Sequence, residues 1–251
     1  MSFLNKNTYL IFIIIGFIAL YVIATDVLHI LDAGLFPSIS KILSVAYQSH
    51  NELLEGVISS SLLLIPSYFS ALFLGIIVGL VVGWYAPLRK NLLPLFRGAS
   101  SIPPTLLIPY SIALLPTFWL ASSCIIFIGC FFPVCLGTIH GVVLIEERYL
   151  DNARTLNLKG FRLLRKIILP ASLPAIFSGA GTALIFAFIL LTISEMFGVK
   201  SGIGFFIQHY AEFFDYARVL AGLFVIASFI IVIMMIFDKI QNRMLYWTIK
   251  R

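Results

Sequence analysis

The sequence predicts an all-α membrane protein of six transmembrane helices, and three observations carry that prediction. Of its 251 residues, 61% are hydrophobic and 11% charged, with a mean hydropathy of +1.05. Soluble domains carry about 25% charged residues, and a soluble core cannot absorb this much apolar surface. The apolar residues gather into six runs near the ~20 residues a helix needs to cross a bilayer. If those runs alternate in direction, fourteen of the seventeen lysines and arginines fall on one side, the asymmetry expected of cytoplasmic loops.

The first run, near 8–28, comes after Lys6. It is long for a signal peptide and no small-residue cleavage site succeeds it, so it reads as a retained span. The second covers 57–84. The third, 98–116, contains Pro103, Pro104 and Pro109. Broken backbone at membrane depth is tolerated where it is packed in protein or lines a cavity, so this span is either part of a translocation path or merely a kinked helix. The fourth, 119–141, begins after only the Pro116–Leu120 region and forms a hairpin with the third. Its Cys124, Cys130 and Cys135 lack metal-type spacing and read as inert core thiols.

The fifth run, 172–194, ends beside Glu195. That carboxyl group either faces a central cavity, as a second candidate for the path, or caps the outer end of its helix pair near Lys200. Next come Gly202 and Gly204, too little for a nucleotide motif, and then Phe205, Phe206, His209, Tyr210, Phe213 and Phe214. Aromatics at that density predict a short helix lying in the membrane interface. The sixth run is 217–238. His29, His50 and His209 have no ligand spacing and read as surface residues.

With the amino terminus inside, the outer side holds only Lys41, Lys200 and Arg218, and both termini are cytoplasmic. The formal charge of +6 is spread between apolar runs and forms no basic domain, so nucleic acid is not an expected partner. No Gly-rich loop ending in Lys-Ser or Lys-Thr is present, so the chain does not hold ATP in the P-loop manner.

One long charged segment interrupts this pattern, Glu146 to Pro170, and the charge asymmetry places it inside. Its first half sets Tyr149, Leu150, Ala153 and Leu156 on one helical stripe, and its second half aligns Phe161, Leu164 and Ile168. Pro170 marks a kink or stop. Asn157 between the halves either takes a left-handed conformation that ends the first helix or caps the second with its side chain. The expected form is two short amphipathic helices joined by a tight turn.

This segment resembles the cytoplasmic signature loop of binding-protein-dependent ABC importer permeases. That loop runs Glu-Ala-Ala, three residues, Gly, nine residues, then Ile, any residue, Leu-Pro; the matching positions are Asp151, Asn152, Ala153, Asn157, Ile167, Leu169 and Pro170. The spacing is kept, while Asp stands for Glu, Asn for the first Ala and Asn for Gly. The flanking text, ARTLNLKGFRLLRKIILPASLPAIFSG and SEMFGVKSGIGFFI, is most similar to the nitrate, sulfonate and taurine group. The resemblance implies a type I importer permease fold, a single transmembrane domain over 1–251 in a bacterial cytoplasmic (inner) membrane, and inward movement of a small anion by alternating access.

It further implies a separate cytoplasmic ABC ATPase docking at those seven positions, an extracytoplasmic solute-binding protein, a homodimer of this chain, and no catalytic residue, metal or cofactor. It places the aromatic segment beside the external gate. An importer of the same shape for a thiamine-related pyrimidine stays open. So does a self-contained carrier or membrane enzyme whose basic loop adheres to anionic lipid, although lipid adhesion has no reason to keep the nine-residue gap before Ile167.

Overall fold

A computed structural model of the chain describes residues 16, 19–28, 30–32, 34–197 and 200–249. About half of the first expected span, 8–28, lies outside them, as do Lys6 and His29. The described end of that span is helical and closes in a wide π-turn at Ile23–Val27. Tyr21 Oη donates to the Pro37 carbonyl at 2.8 Å and ties this end to the segment that leads into the next helix.

α1 (Ile39–Gln48) is capped by the hydroxyl of Ser38, which accepts from the Lys41 N–H. After Ser49 the chain enters α2 (His50–Trp84), then α3 (Ala86–Ser100), a helix that hydropathy alone does not mark. α3 has a polar face with Arg89, Lys90 and Arg97 and packs Leu92, Leu93 and Phe96 against the bundle. Arg89 donates to the Gly83 carbonyl at 2.6 Å, supplying a partner to the end of α2. The third expected span is therefore not one helix. α3 ends at Ser100, a 3₁₀ turn covers Pro104–Leu107, and α4 takes only Ile108–Leu114. Pro103, Pro104 and Pro109 explain the break, since each lacks an N–H and a proline restricts the residue before it.

α5 (Phe118–Val143) starts at Thr117, whose hydroxyl accepts from the Leu120 N–H. α6 (Glu147–Thr155) is short, and α7 runs unbroken over Gly160–Phe197. Beyond it lie α8 (Ile203–Glu212) and α9 (Tyr216–Met244), and Tyr246–Ile249 form a last turn, α10. Four of these helices, α2, α5, α7 and α9, are long and apolar enough to cross a membrane, and no strand occurs among the described residues.

α5 is the central helix, packed between α2 and α7. Small residues permit this. Gly75, Gly79 and Gly83 on α2 face Val134, Thr138 and Val142 on α5 with no room for a methyl group, and Gly137 and Gly141 on α5 meet Ala175, Gly179 and Ser172 on α7. Lipid offers helices no hydrophobic drive to associate, so close backbone approach through such residues supplies the packing instead. The buried core lies along these three helices. It includes Leu63, Tyr68, Ile126, Val134, Ala187 and Leu191, with Tyr68 Oη donating to the Ala180 carbonyl at 2.9 Å. Cys130 and Cys135 are free and buried there, and Cys124 is free and half-buried.

Candidate functional site

The charged segment forms a corner at one end of the α5–α7 pair. α6 ends where the Leu158 N–H reaches the Ala153 carbonyl and the Asn157 N–H reaches the Arg154 carbonyl, both at 2.9 Å. Those two bonds require a left-handed residue, and Asn157 supplies it with φ 51°. Gly160 is left-handed as well, at φ 55°, so the corner has two such residues and its outgoing direction is fixed at both.

The second half is not a short helix. It is the first two turns of α7, which passes through Pro170 without stopping. In a regular helix the Pro170 ring would strike the carbonyl of Lys166 and leave it unpaired. The helix widens instead into a π-turn over Leu164–Ile168, with the Leu169 N–H bonding to the Leu164 carbonyl. The widening shifts which side chains face inward. Ile168 is buried with Leu163, Leu164 and Leu169 against it, while Phe161, expected on that stripe, is 73% exposed.

The first stripe divides in the same way. Ala153 is 1% exposed and packs within this chain, Leu150 is half-buried, and Tyr149 and Leu156 are open. Ala153 therefore seats α6 on its own bundle. The open faces belong to Asp151, Asn152, Asn157 and the apolar Tyr149, Leu156 and Phe161. Asp151 pairs with Arg154 at 2.8 Å and Glu146 with Arg148. Ile167 and Pro170 are half-buried and border a groove of about 570 Å³, which Tyr149, Lys166, Pro174 and Trp247 also line.

At the far end of α7 stands Glu195, 1% exposed. Ser60 Oγ, from α2, donates to its Oε1 at 2.6 Å, and the Gly204 N–H, from α8, donates to its Oε2 at 2.8 Å. Ser60 Oγ also accepts from the Ile203 N–H at 3.1 Å. Glu195 is thus held by Ser60 and the α8 backbone, and among the described residues no ion pair joins it to Lys200. Its oxygens are engaged by α2 and α8, whereas Pro103, Pro104 and Pro109 belong to the segment packed beside α5, where Pro104 lies over Gly129. The structure does not bring these four candidates into one cavity.

α8 buries Ile203, Gly204, Phe206 and Ile207, so it is a packed element with an aromatic outer side. His209 stacks with Phe205 and meets Tyr210 and Phe213 edge-on. Tyr210 Oη donates to Glu52 at 2.9 Å beneath the Arg218 guanidinium. Burial, and then that bond to Glu52, raises its pKa and keeps it a donor. Phe213 and Phe214 are exposed, as headgroup anchors would be. Among the described residues no group of three His, Cys, Asp or Glu is placed to hold a metal.

Residues 71–246 match the family described as Binding-protein-dependent transport system inner membrane component. A Bacillus subtilis protein named for aliphatic sulfonates transport, SsuC, is 29% identical over 61% of this chain and 56% of its own length. The nitrate import permease protein NrtB of Leptolyngbya laminosa is 32% identical over 56% of this chain and 50% of its own. The chain thus spans about half the length of these relatives. A solved structure of the MetNI methionine ABC transporter in inward-facing conformations superposes with TM-score 0.68 at 17% identity, covering 78% of this chain and 98% of that one. The fold is that of a type I importer permease.

Proposed function

Because the chain belongs to the family of binding-protein-dependent transport system inner membrane components, we propose that it is the permease subunit of an ABC importer for a small anion of the nitrate or sulfonate kind. The whole chain, 1–251, acts as one transmembrane domain. The observation that carries the reading is the corner at Asn157. Its two left-handed residues hold α6 at a fixed angle to α7 and leave Tyr149, Leu156 and Phe161 exposed beside Asp151 and Asn152. Apolar groups presented on so rigid a corner suit an apolar-lined groove of a cytoplasmic ATPase, and closure of the ATPase would push on α7 directly.

ATP hydrolysis then belongs to that separate subunit, and solute arrives from an extracytoplasmic binding protein. Two copies of the chain form the pathway in a bacterial inner membrane, with the α6–α7 corner and both termini cytoplasmic. Supporting this orientation, Arg89, Lys90 and Arg97 on α3 lie at the same end as the corner, while Glu52, Glu212 and Asp215 lie at the other.

Uptake into proteoliposomes carrying the chain, its ATPase and its binding protein tests the proposal. ATP-dependent accumulation of labelled nitrate or an alkanesulfonate is expected, and Phe161→Asp should abolish co-purification of the ATPase. Uptake without ATP, or an unchanged complex with Phe161→Asp, would refute it.

A further inference from the structure

A single helix carries the corner at one end and the Glu195 carboxyl group at the other. α7 runs from Gly160 to Phe197, which at 1.5 Å per residue is about 57 Å, longer than the ~30 Å hydrocarbon core. Its far end does not simply lie against α8. Glu195 accepts from the Gly204 N–H, and from the Ser60 hydroxyl that in turn accepts from the Ile203 N–H. The first free N–H groups of α8 are thereby satisfied from two other helices, and the residue at its N-cap, Gly202, contributes no side-chain bond.

Both glycines of the Gly-x-Gly pair are required by this arrangement. Gly202 sits at φ 111°, ψ 166°, a region open only to glycine, and a β-carbon there would overlap the Glu195 carboxyl group. At Gly204 a β-carbon would lie 2.7 Å from the Thr192 carbonyl and 2.8 Å from Glu195 Cβ. The backbone of α8 is pressed onto α7 at the point where the carboxyl group holds it.

We infer that Glu195 is a positioning residue that makes α8 move with α7, so that displacement at the cytoplasmic corner is delivered to the outer face through this clamp. The inference rests on the permease reading above. A polar group is needed for the task because an apolar contact between α7 and α8 would let the short helix slide, whereas two hydrogen bonds to a buried carboxyl group fix its N-terminus in direction as well as distance. Ser60 extends the clamp to α2, whose other end packs against α5 near the corner through Gly83 and Val142.

The test uses the full complex with ATPase and binding protein in proteoliposomes. A cysteine at Glu212, on the exposed end of α8, is labelled by an impermeant maleimide with no nucleotide and after trapping with ATP and vanadate. In the otherwise unchanged chain the labelling rate should differ between the two states. Glu195→Gln keeps the shape but cannot accept at both ends. It should erase that difference and lower the binding-protein stimulation of ATP hydrolysis about tenfold, the ratio that loss of one such bond corresponds to. Basal hydrolysis and co-purification should persist.

Ser60→Ala should act in the same direction, and the double variant should be no worse than Glu195→Gln, since both break one network. A Glu195→Gln complex that keeps the nucleotide-dependent labelling overturns the inference. So does one that loses basal hydrolysis and assembly together with stimulation, because the role is then only structural. An unaltered chain whose α8 labels identically in both states overturns the transmission alone, while absence of ATP-driven uptake by that chain overturns the permease reading.

Discussion

Among single residues, two backbone positions have opposite tolerance for change. Asn157 is left-handed and exposed, so Asn157→Gly should fold and preserve stimulated ATP hydrolysis. Asn157→Val should lower stability by about 1–2 kcal/mol, the cost of a left-handed L-residue. Thermal unfolding of the purified variants, read beside their stimulated hydrolysis, measures both effects. At Gly202 even one methyl group is excluded. Gly202→Ala should cost at least the ~1–3 kcal/mol of its backbone conformation, with the overlap against Glu195 in addition. Lys200→Ala, two residues away and exposed, serves as the control that should melt at the parental temperature.

Between helices, the α2–α5 seam depends on absent side chains. A β-carbon at Gly79 would come within 2.5 Å of Thr138 Cβ and 2.8 Å of the Cys135 carbonyl, so Gly79→Ala must push two backbones apart. Gly98 on α3 meets nothing within 4 Å, and Gly98→Ala should instead stabilise by about 0.5–1 kcal/mol through helix propensity. Opposite shifts in melting temperature are expected for these two identical substitutions. Equal shifts would mean that the seam is not close-packed. Helix geometry also explains Pro170: the π-turn absorbs the proline, so the motif position reads as a kink or stop in sequence yet lies inside a 38-residue helix.

Across the whole bundle, α7 sets the corner and the Glu195 clamp at opposite ends of a span, and the basic residues gather at the corner's end. On a background lacking Cys124, Cys130 and Cys135, single cysteines at Lys159 and Lys41 should therefore label from opposite sides of the membrane. Labelling of both from outside would refute the topology. The buried thiols tolerate this background because none of them pairs with another, and Cys130 gives only a weak 3.4 Å contact to the Ala183 carbonyl.

The membrane class, the apolar runs, the charge asymmetry, the left-handed Asn157 and the spacing of the loop were all legible in the chain, because each is a local property of composition or of one residue's backbone preference. Gly75, Gly79 and Gly83 have Gly-x-x-x-Gly spacing, but their part in the α2–α5 seam emerged only from the packing. Which face of the loop stays open became visible only in three dimensions. Ala153 is buried because α6 seats on its own bundle, and Phe161 is exposed on a helix whose register a π-turn shifts, whereas periodicity assumes a uniform helix. The partner of Glu195 was hidden for a different reason. Ser60 lies far away in sequence, and no local pattern foretells that α2 and the start of α8 will meet at one carboxyl group.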